Sequence, residues 1–407
     1  MERFKKILLL VVLCATLCMT VASASPPVIV SESAVLIDAD TGQIMYSKDM
    51  HRQMYPASIT KILTVVAGLE RLSMTDTMTM SHNAVFSIPY KSSHVALDEG
   101  ETITMEQAVH AALLKSANDA CNGIAERVAG TTEDFAVIMN ETATKAGAIN
   151  SNFVNPHGLY EENHYTTAYD MAMICRYALG NETFRKVFGT YKYVMAPTNE
   201  QEEERLFIHQ HKMISDPNMK YEGIIGGKEG WTSVSKCTLV TAAERDGKTL
   251  IAVVMKCIKD DDKYADTKAL LDYGFSGFTD VTITESDIPE ELSCSLENDV
   301  VLHLPDDVAK SSLLYETSFE ADGEKLIILN ADGDELMRVP CTIKVEEPEV
   351  AEEAPAPENK GGISVLLIIG IIILVPIVLI ALFLLGIIIR KKIYKMIRRH
   401  KRRKRRK

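Results

Sequence analysis

A serine and a lysine three positions apart, Ser58-Ile-Thr-Lys61, can bring a hydroxyl nucleophile against an amine able to take its proton. The requirement is that the four residues turn as a helix, since positions i and i+3 share a helical face. Two further motifs follow in order, Ser116-Ala-Asn118 and Lys228-Glu229-Gly230. They offer a second hydroxyl for relaying a proton, an amide for clamping a substrate backbone, and a cation for an anionic group. Each motif alone is weak, because Ser233 and Lys236 repeat the first spacing and Ser81-His-Asn83 repeats the second. Context separates them. Ser58 follows Tyr55-Pro-Ala57 and opens an apolar run, whereas Ser233 and Lys236 fall where the pattern turns to strand.

The elements that must position these residues are readable from periodicity. Ile59 to Leu72 is apolar nearly all round, which predicts a helix buried at the centre of a domain. Its start would aim main-chain N–H groups at a developing oxyanion beside Ser58. Lys61 on that helix would be desolvated, which lowers an amine's pKa and makes it a base. Met105 to Leu114 and Asp119 to Val128 read as further helices. Ala34–Asp38 and Gln43–Tyr46 flank a turn at Ala39–Gly42, and Lys236–Ala243 and Thr249–Lys256 flank Asp246-Gly247, both hairpin signals. After Phe278, short strand-like runs at Val281, Val300, Lys325 and Thr342 predict a small β-rich domain.

Longer stretches carry a resemblance. Tyr55–Lys61, Leu114–Ala120, Asn152–Leu159, His164–Met171 and Lys268–Phe275 are similar, in order, to the serine-type D-alanyl-D-alanine carboxypeptidases. These are the low-molecular-mass penicillin-binding proteins of the peptidase S11 family. The resemblance implies an α/β (α+β) penicillin-binding, β-lactamase-like catalytic domain with a central antiparallel sheet. It implies Ser58 as nucleophile, Lys61 as general base, Ser116 as proton relay, and Asn118 and Lys228 as substrate ligands. Gly230 and Trp231 would border the oxyanion hole, made by the N–H groups of Ser58 and Trp231. Lys263, just before Tyr264, falls where several relatives carry an arginine that grips the substrate carboxylate. Peptidoglycan stem peptides would be the substrate and β-lactams would acylate the same serine. No metal or organic cofactor is implied. A class A β-lactamase fits less well, because Glu161 and Glu162 read as a solvated loop rather than a deacylating base. His157, Gly158 and Asp170 read as residues that shape a loop and cap a helix.

One departure stands out. The family's third motif is usually Lys-Thr-Gly, with a threonine hydroxyl on the substrate carboxylate, and here Glu229 replaces it. Two carboxylates about 4 Å apart at an effective dielectric near 20 repel by roughly 4 kcal/mol. Ordinary binding then requires Glu229 to turn away, to be protonated, or to pair with Lys228. Lys263 in place of arginine likewise keeps charge but loses the two-pronged fork.

The ends of the chain speak to its location. Residues 1–24 have a basic start, an apolar run and Ala22-Ser-Ala24, the pattern of a signal peptide. Ile363–Ile389 is long, apolar and without a charge, which predicts a transmembrane helix. The tail 390–407 holds 13 of the 44 Lys and Arg and no acid. By the positive-inside rule the tail is cytoplasmic and the rest lies outside. Between signal and tail, 28 basic residues face 55 acidic ones, which argues against a nucleic-acid partner. The acidic, Pro- and Ala-rich segment 347–362 reads as a spacer. Of six cysteines beyond the signal, Cys121 and Cys175 read as buried helix residues and Cys294–Cys341 as a candidate bridge.

The expected organisation is therefore a signal peptide (1–24), a serine carboxypeptidase domain (25–278), and a small all-β domain (279–346). A linker (347–362), a transmembrane helix (363–389) and a polybasic tail (390–407) follow. The expected role is penicillin-sensitive trimming of terminal D-alanine at the outer face of a bacterial membrane with a Gram-positive-type envelope. Two other readings remain open because of Glu229. One is an impaired wall-binding protein on the same fold, and the other an endopeptidase or amidase of altered substrate.

Overall fold

A computed structural model of the chain describes residues 25–320 and 323–343. The signal-like segment, the acidic spacer, the apolar span and the basic tail lie outside the described residues. Among those described, no helix is long and apolar enough to cross a membrane.

Five antiparallel strands form the main sheet, in the order β2-β1-β9-β8-β7. They are β1 (Ser33–Asp38), β2 (Ile44–Lys48), β7 (Ile224–Thr232), β8 (Lys236–Arg245) and β9 (Lys248–Cys257). Two small two-stranded sheets lie between them in sequence, β3 (Thr77–Thr79) with β4 (Thr102–Thr104), and β5 (Lys192–Met195) with β6 (Arg205–Ile208). Asp246-Gly247 joins β8 to β9 with φ of 51° and 81°, the two left-handed residues that a tight hairpin of this twist requires.

The sheet is buried on both faces, and strand alternation sorts its side chains. Val35, Ile37, Val240, Ala242, Ile251 and Val253 join a core with the helices on one side. Ala34, Leu36, Leu239, Ala243, Leu250 and Ala252 join a second core on the other. The helical layer includes α1 (Lys61–Leu69), α2 (His82–Phe86), α3 (Met105–Leu114), α4 (Asn118–Ala129), α5 (Thr132–Lys145), α6 (Ala168–Leu179) and α7 (Glu182–Phe188). After the short α8 (Lys212–Ser215), α9 (Asp260–Phe275) covers the opposite face with Tyr264, Leu270, Leu271 and Tyr273.

The helix expected from Ile59 is built in two parts. A single 3-10 turn, Ala57–Thr60, leads into α1, every residue of which except Leu69 is buried. Cys121 and Cys175 lie buried in α4 and α6.

Beyond α9 the chain forms β10 (Phe278–Ile283), β11 (Cys294–Leu296), β12 (Val300–Pro305), β13 (Leu314–Glu320), β14 (Gly323–Leu329) and β15 (Glu335–Ile343). β10 pairs with β12, and the others form a sheet in the order β11-β15-β14-β13 around their own apolar cluster. The bridge considered between Cys294 and Cys341 is not formed, and all six cysteines are free thiols. Register explains their closeness, since Cys294 opposes Ile343 while Leu296 opposes Cys341. The two thiols are diagonal neighbours across the β11–β15 pair. This region meets the main sheet through Gln43, whose amide accepts from the His303 N–H at 2.7 Å and donates to its carbonyl at 2.6 Å.

Candidate active site

The site is built where the helical layer meets the free edge of β7. Ala57, directly before Ser58, has a φ of 53°, and Ser116 has 59°. Left-handed backbone at residues other than glycine is costly and gathers at functional turns. At Ala57 it carries the chain from Pro56 into the 3-10 turn, so that Ser58 is half-buried while Ile59 and Thr60 are covered. The turn is fastened from three directions. Thr238 of β8 donates to the Pro56 carbonyl at 2.8 Å. Thr60 Oγ1 bonds His164 Nε2 at 2.9 Å, and Thr64 donates to the Pro156 carbonyl at 2.6 Å.

Two glycines permit the close approach. A Cβ on Gly230 would stand 2.8 Å from the Ser58 nitrogen, so β7 can pass directly against the Ser58 backbone. A Cβ on Gly158 would stand 1.8 Å from the Ala57 carbonyl oxygen, and Gly158 has a φ of +83°. The loop Asn155–Leu159 is thereby pressed against the turn that carries Ser58. Position 158 admits only glycine on both counts.

Lys61 is fully buried, and its Nζ has three partners. These are Ser58 Oγ at 2.9 Å, Asn118 Oδ1 at 2.7 Å and the His157 carbonyl at 2.7 Å. None is charged. Burial is the main cause holding the amine near a pKa of about 7, and nearby Lys228 pushes the same way. A neutral amine has two N–H bonds and one lone pair. Asn118 Oδ1 and the His157 carbonyl can only accept, so they take the two N–H bonds and leave the lone pair for the Ser58 hydroxyl.

Among the predicted site residues, the structure brings Ser58, Lys61 and Asn118 into direct contact. Ser116 is buried two residues before Asn118, at the start of α4, and its hydroxyl has no hydrogen-bond partner among the described residues. Gly230 lies against Ser58, as described, and Trp231 stands at the rim with 64% of its surface exposed. Lys263 is buried in the first turn of α9, where its Nζ pairs with Asp260 at 2.6 Å. No hydrogen bond or ion pair joins it to Ser58, Lys61, Asn118 or Lys228 among the described residues. Glu161 and Glu162 are exposed.

Lys228 is fully buried on β7, and its Nζ donates to the Glu229 carbonyl at 2.7 Å and to Glu229 Oε1 at 2.9 Å. Of the three routes open to Glu229, pairing is the one taken. Burial alone would raise the carboxyl's pKa, but Lys228, with smaller help from His209 and His211, holds it at about 2. The second oxygen, Oε2, is buried with no partner.

Several contributors carried little sequence signal. His157 matters through its carbonyl, which any residue type supplies. His164 holds Thr60, and burial drives its own pKa to about 3. His209 and His211 flank the third motif, joined by the His211 N–H to His209 Nδ1 at 3.0 Å. Among the described residues no group of three or more His, Cys, Asp or Glu is placed to hold a metal ion.

Comparison with known proteins identifies the family and the fold. The sequence model of the family described as D-alanyl-D-alanine carboxypeptidase, Peptidase S11, matches residues 20–258. D-alanyl-D-alanine carboxypeptidase DacF of Bacillus subtilis is 32% identical over 253 residues, covering 61% of this chain and 63% of the relative. DacD of Escherichia coli is 28% identical over 270 residues, covering 64% of this chain and 67% of the relative. The matched region thus spans just under two thirds of the Bacillus relative's length. Among solved structures, the DD-transpeptidase of Streptomyces K15 superposes with a TM-score of 0.58 at 26% identity, covering 62% of this chain and 99% of that one. The carboxypeptidase DacD of Francisella tularensis superposes with a TM-score of 0.60 at 22% identity, covering 80% of this chain and 96% of that one, which speaks for the fold alone. The sheet is that of a penicillin-binding-protein-like α/β fold, and with a family model matched over more than half its length the chain belongs to the D-alanyl-D-alanine carboxypeptidase family, Peptidase S11.

Proposed function

We propose that this chain is a serine D-alanyl-D-alanine carboxypeptidase acting on peptidoglycan stem pentapeptides, and that β-lactams acylate it. The observation that carries the reading is the buried Lys61 amine, near a pKa of about 7 and 2.9 Å from the Ser58 hydroxyl. A base poised near neutrality is what general-base catalysis at neutral pH asks for.

In the reaction, Ser58 Oγ bonds to the carbonyl carbon of the penultimate D-alanine while Lys61 takes the hydroxyl proton. The N–H groups of Ser58 and Trp231 receive the oxyanion, with Gly230 leaving room for them. The C–N bond breaks, the proton passes by way of Ser116 to the leaving amine, and free D-alanine departs. Water then attacks the Ser58 ester and gives a proton to Lys61; the acyl C–Oγ bond breaks, Lys61 returns the proton to Ser58 Oγ, and the shortened peptide leaves. Asn118 and Lys228 hold the substrate, and Lys263 adds positive charge at longer range.

The same proposal extends to organisation. Residues 25–278 form the catalytic domain and 279–346 a small β domain. A signal peptide (1–24), linker (347–362), transmembrane helix (363–389) and cytoplasmic tail (390–407) would hold the enzyme at the outer face of a bacterial membrane. The apolar, uncharged stretch and the 13 basic residues after it support that placement.

Labelling of the full chain with a fluorescent penicillin is the direct test. Wild type is expected to label and Ser58→Ala to lose labelling by at least about 10⁴-fold. Undiminished labelling of Ser58→Ala sinks the nucleophile assignment, and release of free D-alanine from a pentapeptide checks the substrate.

A further inference from the structure

In this fold the sheet-edge cation is expected to receive the substrate's terminal carboxylate. Here Lys228 already has an anion. Two of its three N–H bonds go to Glu229, one to the carbonyl and one to Oε1. The ammonium has no exposed surface, and the Glu229 side chain is 15% exposed. The pair occupies the strand edge that passes directly against Ser58, with Gly230 next in sequence.

A substrate carboxylate arriving at Lys228 must displace Glu229 or stand beside it as a second anion. Like charges brought together while losing water are strongly unfavourable. The other oxygen of Glu229 points the opposite way energetically. Oε2 is a buried acceptor with no donor, and a ligand N–H supplies what it lacks. A carboxamide, or a peptide bond that continues past the cleaved residue, carries such an N–H and no charge.

We propose that Glu229 is a specificity-determining residue that weakens the Lys228 subsite's grip on free carboxylates, so that the pentapeptide is cleaved but is not the preferred acyl donor. Glu229 favours acyl donors whose leaving side is uncharged and bears an N–H, such as a carboxamide or an internal peptide bond within cross-linked wall peptides. The chemistry at Ser58 is the one already described, so the inference rests on the proposed acyl-transfer reading and concerns which leaving group is preferred. Bond changes are the same: the amide C–N bond breaks, and the departing amine carries the proton away.

The test uses the full chain with two peptides identical except at the end, one finishing in D-Ala-D-Ala carboxylate and the other in its carboxamide. Values of kcat/KM are compared for wild type, Glu229→Thr and the isosteric Glu229→Gln. Wild type is expected to prefer the carboxamide, and both variants to move the ratio toward the carboxylate by about tenfold or more. A misfolded variant would lose both substrates together, so a changed ratio cannot come from stability alone. Equal ratios in all three proteins, or a wild type preferring the carboxylate as strongly as Glu229→Thr, overturn the inference and leave the acyl-transfer reading standing. If no protein cleaves either peptide and none forms a penicillin adduct at Ser58, the reading beneath it falls as well.

Discussion

Lys61 comes from the helical layer and Lys228 from the edge of the sheet, and both side chains are fully buried. Their partners differ. Lys61 meets a hydroxyl, an amide oxygen and a main-chain carbonyl, all neutral. Lys228 meets a carbonyl and a carboxylate. With neutral partners, burial makes the charged amine expensive, and Lys61 becomes a base near pH 7. With a carboxylate at 2.9 Å, Lys228 is one half of an ion pair whose acid titrates only at about 2. Burial alone therefore assigns no role to a lysine; the charge of the groups that share its cavity does.

The largest effect is expected around Lys61. Gly158→Ala drives a methyl into the Ala57 carbonyl and imposes a left-handed φ on alanine. It should displace the His157 carbonyl from Lys61 and the turn from beneath Ser58. Penicillin labelling should fall by about 10²-fold or more, since misplacement on the order of 1 Å can cost that much. The melting temperature should drop as well. Normal labelling in a folded Gly158→Ala protein would show that the loop does not hold the base.

A gentler probe is the pH dependence of acylation. In the proposed mechanism Lys61 acts as the neutral amine, so the rate should climb about tenfold per pH unit below 7 and level off above it. Glu229 raises the Lys61 pKa and Lys228 lowers it. Glu229→Gln should therefore move the acid limb to lower pH, and Lys228→Gln to higher pH. Shifts in the same direction for both variants would mean that the two halves are not linked through charge.

The smallest effect extends the rule to histidine. His164 has a neutral hydroxyl partner and is pushed to about 3, chiefly by burial. His303 lies between Asp38 and Asp280, and its pKa is raised, first by the bond to Asp38. A raised histidine pKa stabilises the fold fully below the unfolded value and loses that contribution as pH rises through the folded one. Asp38 is lowered, because the His303 and Thr41 hydrogen bonds outweigh its burial, so its contribution vanishes as pH falls through its lowered value. The shared stabilisation should peak between about pH 4 and 6.5. Thermal melts of wild type and His303→Gln should differ most in that window, and curves parallel at every pH would show that His303 contributes no pH-dependent stability.

Much of the first half was legible because its logic is local. Ser58 and Lys61 sit three apart at the start of an apolar run, and a helical turn alone makes them neighbours. Long matching stretches then supplied Ser116 and Asn118. The second half was less legible for a physical reason. Adjacent residues on a strand point to opposite faces, so alternation would separate Lys228 from Glu229. Here the long lysine side chain nevertheless reaches the carbonyl and the carboxylate of its own neighbour. Nothing in residue type announced the left-handed Ala57, and the His157 carbonyl is backbone. The sequence marks Gly158 as a loop-shaping residue, while its contact with Ala57 depends on how distant segments pack. Lys263 aligned with a substrate-gripping position, yet Asp260 three residues earlier gives it a partner inside its own helix.

The bond from Lys61 to the His157 carbonyl joins positions 96 residues apart. In an open chain that contact does not exist, and Lys61 is an ordinary wet amine with a pKa near 10.4, neutral in only about one copy in 2,500 at pH 7. Ser58 is then no more reactive than any other alcohol. In the proposed mechanism the nucleophile is armed by the closing of a long loop, the non-local kind of contact that slows folding. On the proposed reading an unfolded or wrongly folded chain is chemically silent, because the base exists only once the architecture is complete.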